Sequence, residues 1–207
     1  MVPLDNTDDW VASVASFVRT SFGNNGELVT PADVARVRAE IASHKSPWTV
    51  PELEATMSKP IDTQQFKLTA SHGEDTAPYA TTLRGWNSGT PQIPGMWFQV
   101  ELTQPVAVAE VQFDSMAAGG RGGGGGRGAA PGAAPPPPPV VGYPRAYDVQ
   151  VSMDGKKWTK VASGKGDGAR TSVAFTPTQA KFVRITQTDN IPDAPAWSIR
   201  NLRVLQK

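Results

Sequence analysis

Hydrophobic and polar residues alternate in short runs from Phe66 to the end of the chain, and this pattern limits the possible folds more than any other feature. In the run RAYDVQVSM (145–153) every second residue from position 147 onward is hydrophobic, and Asp154-Gly155 follows directly before KKWTKVAS. An Asp-Gly pair between two alternating runs is typical of a two-residue β-hairpin turn. The segment therefore predicts an antiparallel hairpin.

Comparable runs occupy most of the remaining sequence after Phe66. They lie at 66–71, 96–102, 106–114, 171–176, 180–187 and 198–205. Short strands at such spacing, separated by turn residues, are typical of an antiparallel sandwich or barrel. We therefore predict a mainly β fold for 66–207.

The first part of the chain has helical signals instead. Thr7 is a suitable N-cap and is followed by Asp8 and Asp9, whose carboxylates favour a helix N-terminus. An apolar stripe follows at helical spacing, made by Trp10, Val11, Val14, Phe17 and Val18. A second helix is predicted from Thr30, Pro31 and Asp33. Two short helices bury little surface between them, so we expect this stripe to dock either on the following domain or on a domain outside this chain.

The N-terminal segment 1–53 resembles the C-terminal end of a class I c-type cytochrome domain from bacterial multidomain dehydrogenase-type proteins. The similar stretches are MVPL, WVASVASFVRTSFGN and VTPADVARVRAE. The resemblance implies that Met1 is the axial haem ligand in a full-length parent, although an initiator Met is the simpler interpretation. The chain has no Cys and so lacks the C-x-x-C-H attachment motif, and we expect no haem in this chain.

The segment 62–207 resembles the discoidin family, also called coagulation factor 5/8 type C domains, which overlaps the family 32 carbohydrate-binding modules. The similar stretches, in order, are TAS, GWNSG, PGMWFQVEL, YPRAYDVQVSMDGKKWTKVA, AKFVRIT and WSIRNLRVL. The resemblance implies an eight-stranded antiparallel jelly-roll-like β-sandwich, here with a small N-terminal two-helix segment. We divide the chain into a helical segment 1–53, a linker 54–65 and the sandwich 66–207.

Members of this family present loops to a sugar, a lipid head group or a protein, and many hold calcium. The loop residues here that match a sugar site in chemical type are His72, Tyr79, Arg84, Asn87, Gln92, Asn190 and Trp197. Trp86, Trp97, Trp158 and Phe182 resemble core positions. The family's calcium-binding Asp-Gly turn is replaced by ATTLRGWNSG, which contains no Asp, and this departure argues against a calcium site.

A Gly- and Pro-rich stretch, 117–142, interrupts the predicted strands. Such sequences do not form a packed core, and we interpret this one as an expanded surface loop. Two arginines among glycines and five consecutive prolines also permit an RNA-binding or an SH3/WW-binding segment, but no aromatic residue interleaves the arginines.

Composition and motifs exclude several classes of function. A net charge of +1 gives no field that attracts nucleic acid, and no apolar run is long enough to span a membrane. We find no signal peptide in this chain and no catalytic motif. We therefore predict a non-catalytic module for carbohydrate or cell-surface polymer, from a periplasmic or extracellular redox parent. The alternatives are an electron-transfer cytochrome fragment and a structural domain that packs on its parent redox enzyme.

Overall fold

The computed structural model describes residues 6–22, 28–117, 141–166, 168–192 and 194–207. The chain divides into two compact units, Met1–Thr56 and Met57–Lys207. Within the described residues, no helix is long and apolar enough to cross a membrane.

The first unit contains three helices, α1 (Asp8–Thr20), α2 (Pro31–Glu40) and α3 (Val50–Thr56). The predicted caps of α1 and α2 are confirmed: Thr7 accepts a hydrogen bond from the Trp10 amide, and Thr30 forms a reciprocal capping box with Asp33. Helix α3 was not predicted. The sequence feature that marks its start is another Thr–acid capping pair, in which the Glu52 carboxylate accepts a hydrogen bond from the Thr49 amide at 2.7 Å.

Helices α1 and α2 pack through a small contact. Ala12 and Val34 are buried, and Arg38 pairs with Asp8 at 3.0 Å. The apolar stripe of α1 remains largely exposed, with Trp10 at 50% and Phe17 at 60% of their full accessible area. The predicted amphipathic pattern is therefore present, but these helices bury little of it between them.

The second unit contains eight strands: β1 (Lys59–Pro60), β2 (Phe66–Ala70), β3 (Trp86–Pro91), β4 (Trp97–Asp114), β5 (Tyr147–Ser152), β6 (Thr159–Gly164), β7 (Arg170–Gln187) and β8 (Ala196–Gln206). Two 3₁₀ segments, Thr63–Gln65 and Glu74–Thr81, lie between the first three strands. Every pairing between these strands is antiparallel. The predicted fold class, an eight-stranded antiparallel sandwich, is confirmed.

The two longest strands, β4 and β7, organise the sandwich. They pair from Trp97↔Thr186 to Asp114↔Arg170 with two shifts in register. The first half of β4 also pairs with β2, and the second half pairs with β8. Strand β5 joins the last part of β7 and carries β6 at its other edge. The β4–β7 ribbon therefore contributes its two halves to the two layers.

The structure differs from the sequence interpretation in its strand boundaries. The predicted strands 96–102 and 106–114 are one strand, and so are 171–176 and 180–187. Pro105 and Pro177 lie where the register shifts. Proline cannot donate a backbone hydrogen bond within a regular strand, but it is tolerated at a bulge of this kind. The predicted linker 54–65 contains β1, and Ile61 is buried in the core.

The core lies between the two layers. Inward residues of the first layer include Phe98, Val100, Val149, Val183 and Ile185; those of the second include Val108, Val111, Phe113, Leu202 and Val204. Trp86 is 1% exposed, as predicted, and its ring lies 4.9 Å from that of Phe98.

The core assignment was wrong for Trp97, Trp158 and Phe182. Trp97 and Phe182 directly precede the buried strand residues Phe98 and Val183 and lie half-buried on the outer face of the first layer. Trp158 lies just before β6, between two exposed residues, and is also half-buried. There the Arg184 guanidinium lies 4.7 Å from the ring centre of Trp97 and 3.9 Å from that of Trp158. Strand alternation from the buried residues Phe98 and Val183 predicts this outward placement for Trp97 and Phe182.

The predicted Asp-Gly turn connects β5 to β6. Asp154 Oδ1 accepts hydrogen bonds from the amides of Lys156 and Lys157, both at 2.8 Å, and Gly155 has φ of 71°. These amide bonds outweigh the small effect of burial and lower the pKa of Asp154 from 3.8 to about 2. The carboxylate therefore stabilises the folded state above its unfolded pKa, and this contribution is lost as the pH falls towards about 2.

Asp154→Asn should reduce the acid dependence of stability. The amide retains an acceptor oxygen but has no titrating charge, so the variant should be less stable than the parent at neutral pH, and the difference should shrink as the pH falls from about 4 to about 2. Urea unfolding at a series of pH values measures this, with Asp75→Asn as the exposed control. A constant difference between the variant and the parent across that range would contradict the assignment.

The predicted surface insertion, 117–142, lies mostly outside the described residues, but its two ends are described. Ala117 and Val141 form an antiparallel bridge, and the Gly142 amide donates to the Met116 carbonyl at 2.8 Å. The chain therefore leaves and re-enters the sandwich at adjacent points.

Replacing 118–140 by Asn-Gly should preserve the fold. The two residues suit a tight hairpin turn between ends that are already paired. Loop closure entropy changes slowly with length, so we expect the melting temperature to stay within about 5 °C of the parent value. Thermal unfolding followed by circular dichroism tests this, and a larger decrease would show that the replaced segment stabilises the sandwich.

Candidate functional site

The predicted ligand loops gather at one end of the sandwich. Strand β2 ends at Ala70 opposite Phe98, and β7 ends at Gln187 opposite Tyr147, the first residue of β5. Antiparallel pairing therefore places the connections 71–85, 92–96, 143–146 and 188–195 at the same end of the sandwich, which we call the loop end.

A buried pair of glutamines connects these segments. Gln187 Nε2 donates to Gln92 Oε1 at 3.0 Å, while Gln92 Nε2 donates to the carbonyls of Tyr143 and Pro195, both at 2.9 Å. Gln92 is 3% exposed and Gln187 is fully buried. The prediction that Gln92 contacts a ligand is therefore wrong, because its amide is used to hold three loops together.

Trp197 is also misassigned as a ligand residue. Its side chain is fully buried, and its ring meets that of Trp86 edge to face with 5.2 Å between centroids. Its backbone amide donates to Ser88 Oγ at 3.0 Å. Because β8 begins at Ala196, Trp197 belongs to the strand rather than to the preceding loop.

The structure brings His72 and Asn87 together. Gly73, at φ of 60°, packs so closely on β3 that an added Cβ would lie 2.1 Å from the Asn87 carbonyl oxygen. Trp86 Nε1 donates to the His72 carbonyl at 3.0 Å, which fixes the histidine backbone. His72 Nδ1 is 2.9 Å from Ser71 Oγ, and Asn87 Oδ1 accepts from the Gly89 amide at 2.7 Å. Within the described residues, His72 Nε2 and Asn87 Nδ2 have no hydrogen-bond partner.

Tyr79 and Arg84 form a separate stacked pair at the other end of the 3₁₀ segment. The Arg84 guanidinium lies 3.7 Å from the Tyr79 ring centre. A cation over the ring covers one aromatic face that would otherwise be available to a sugar. Asn190 is exposed, and within the described part of the chain no hydrogen bond or ring contact joins its side chain to the other candidates.

Two carbonyl oxygens at the turn in which the resemblance places calcium are already engaged. The Tyr79 carbonyl accepts from the amide and the hydroxyl of Thr82, and the Thr82 carbonyl accepts from the Asn201 amide. The same turn carries the cationic Arg84. Among the described residues, no group of three or more His, Cys, Asp or Glu forms a metal-binding cluster. These groups do not fit calcium, whose site needs several free oxygen ligands, and calcium independence stays a prediction. Met1, the haem ligand expected in a parent protein, lies outside the described residues.

A polar pocket that sequence reasoning missed opens on the outer face of the second layer. Its volume is about 110 Å³, and it is lined by Gln112, Phe113, Asp114, Arg170, Asn201 and Arg203. The signal was present in the sequence, because these polar side chains alternate with Val111, Phe113, Leu202 and Val204, which are buried. Their meeting across three strands depends on the strand register, which the sequence pattern alone does not give.

Comparisons with known proteins find similarity in the sandwich. The sequence model of the F5/8 type C domain family matches residues 137–202. This match covers about a third of the chain and includes β5, β6, β7 and the first part of β8. No curated protein sequence matches the chain.

Several solved structures share the fold of the sandwich over about 70% of the chain. CpGH89CBM32-5 of Clostridium perfringens, in complex with GalNAc-β-1,3-galactose, aligns with a TM-score of 0.52 at 18% identity, covering 70% of this chain and 99% of the module. The family 32 module of NanJ from the same organism, in complex with galactose, aligns with a TM-score of 0.52 at 17% identity. The alignment covers 72% of this chain and 100% of that module. Chitosan-binding module 1 from a Paenibacillus chitosanase/glucanase aligns with a TM-score of 0.50 at 23% identity. The alignment covers 68% of this chain and 94% of that module. At these identities the likeness shows the fold alone.

Gln92→Leu should destabilise the protein without removing any ligand contact. The change keeps a similar volume but leaves the Tyr143 and Pro195 carbonyls and Gln187 Nε2 without their partner. Each buried polar group left without a hydrogen-bond partner costs about 1–3 kcal/mol, so we expect a loss of about 3 kcal/mol or more in the free energy of unfolding. Urea denaturation measures this, with the exposed Gln179→Leu as the matched control. A loss below about 1 kcal/mol would contradict the structural role of Gln92.

Proposed function

We propose that this chain is a non-catalytic carbohydrate-binding module that holds a sugar at the loop end. The observation that carries the proposal is the juxtaposition of His72 and Asn87, whose free Nε2 and Nδ2 atoms project from backbone segments in direct contact at Gly73. Imidazole and amide groups hydrogen-bond sugar hydroxyls in either direction. Fixed backbones under these groups reduce the entropy lost on binding.

The buried framework supports this proposal. Gln92 and Gln187 tie the connections behind the site, so the loop end is held by bonds that a ligand does not have to form. Two modules of the same fold are described in complex with galactose and with GalNAc-β-1,3-galactose. We therefore propose galactose-containing sugars as the first ligands to test.

The aromatic groups at the loop end suggest weak binding. Arg84 covers one face of Tyr79, and Arg145 covers one face of Tyr143 at 3.8 Å from its ring centre. Trp197 is buried. With the stacking contribution limited in this way, we expect an affinity for a single sugar in the range of about 1 mM, or about 4 kcal/mol.

The wider context is also a proposal. We propose that the module belongs to an exported periplasmic or extracellular protein with a redox domain, and that the first unit is the end of a cytochrome domain. The resemblance of 1–53 and the exposed apolar stripe of α1 support this origin. The family match at 137–202 lies outside that segment.

The double variant His72→Ala/Asn87→Ala should weaken sugar binding about tenfold, a change of about 1.4 kcal/mol. The expected reason is the loss of two hydrogen-bonding groups without any loss of core packing. Titration with galactose and galactobiose, followed by NMR chemical shifts, measures this. Gln104→Ala, an exposed change on the opposite edge, is the control.

Two results would contradict this assignment. One is unchanged binding in the double variant, and the other is the absence of shifts with every neutral sugar tested. Thermal unfolding of each variant verifies that the folded state is retained.

A further inference from the structure

The polar pocket on the second layer arises from an irregularity in β8. Gln112 pairs with Arg203, but Asp114 pairs with Arg200, so β8 contains one extra residue across this step. Asn201 takes up the difference at φ of 50°, a left-handed conformation that Asn tolerates better than most residues. A bulge of this kind separates neighbouring side chains and redirects them, and here it opens the pocket of about 110 Å³.

The pocket contains a fixed carboxylate. Asp114 Oδ2 accepts from Asn201 Nδ2 at 2.8 Å, and Oδ1 accepts from Arg170 Nε at 3.2 Å. Burial acts to raise the pKa of Asp114, but these bonds and the charges of Arg170 and Arg200 outweigh it and hold the pKa below its ordinary value. Asp114 is therefore a charged acceptor at neutral pH.

Positive charge exceeds negative charge around this carboxylate. Arg170, Arg200 and Arg203 surround the single acid Asp114, whereas Glu110, one row away, is engaged by Gln112 and Ser172 at 2.8 and 2.6 Å. Arg203 is exposed, and within the described part of the chain it has no hydrogen-bond or ion-pair partner. Arg200 Nε is buried without a partner. The pocket thus presents the unpaired Arg203 guanidinium beside the Asp114 carboxylate.

We propose that this pocket binds a carboxylated sugar, a uronic acid residue of an acidic glycan. Arg203 would receive the carboxylate, because a guanidinium matches that group in a two-bond geometry. Asp114 and Gln112 Oε1, which has no hydrogen-bond partner among the described residues, would accept hydrogen bonds from the sugar hydroxyls. A sulfate ion would meet the Asp114 charge and has no hydroxyl to donate, so the mixture of groups favours a sugar acid.

The proposal rests on the proposed function, since it takes the ligand to be a glycan, but it concerns a different surface from His72 and Asn87. The two sites recognise different chemical groups. The loop end offers neutral donors and acceptors, whereas the pocket requires an anionic substituent. Each site can therefore fail without the other.

A matched pair of ligands tests the proposal. Digalacturonate and the corresponding α-1,4-linked galactobiose differ in the group at C6, a carboxylate or a hydroxymethyl. We expect the intact chain to bind digalacturonate more tightly, and Arg203→Gln to weaken that binding about tenfold while leaving galactobiose binding unchanged. Arg203→Lys keeps the charge but lacks the planar fork, so we expect an intermediate loss.

Controls separate this site from general charge effects and from the loop end. Arg36→Gln, on exposed helix α2, removes the same charge elsewhere and should leave digalacturonate binding unchanged. His72→Ala/Asn87→Ala should also leave it unchanged, even if neutral sugars prove not to bind. Sulfated galactobiose distinguishes a sulfate from a carboxylate as the anionic group.

Four results would overturn the proposal. They are equal binding of the acidic and neutral disaccharides, equal losses in Arg203→Gln and Arg36→Gln, binding of the sulfated ligand in place of digalacturonate, and loss of digalacturonate binding in the loop-end double variant. Because Arg203 is exposed, its replacement should not unfold the protein, and thermal unfolding verifies this.

Discussion

The continuous pairing of β4 with β7 is the constraint on which the sandwich depends. Two strands of 18 residues each remain paired through two shifts of register, so one ribbon supplies a part of both layers. The loop end and the polar pocket are both positioned by this ribbon. Gln187 lies at one end of β7 and Arg170 at the other, so the two candidate sites are held by a single strand.

Much of the fold could be predicted from the sequence because strand alternation and turn chemistry are local properties. The Asp154-Gly155 turn and the caps at Thr7 and Thr30 follow from neighbouring residues, whereas the burial of Trp86 was expected from the family resemblance. Strand β3 has the sequence WNSGTP, which lacks hydrophobic alternation, and its pairing with β8 is a long-range contact. Continuity through Pro105 and Pro177 likewise depends on a partner strand.

The candidate site was less predictable, because residue type does not distinguish a ligand group from a structural one. Gln92 and Trp197 have suitable chemistry for a sugar site, yet both are buried. The backbone segments that carry His72 and Asn87 lie close together because Gly73 has no side chain. The polar pocket depends on one extra residue in β8, and a shift of one residue in register has no signature in composition.

The bridge between Ala117 and Val141 has a wider consequence for the architecture. An insertion whose two ends lie opposite each other does not change the distance that the surrounding strands must span. A guest domain whose own termini are adjacent meets the same geometric condition as the native segment. The position is therefore suited to carrying a reporter or a second binding domain on the scaffold.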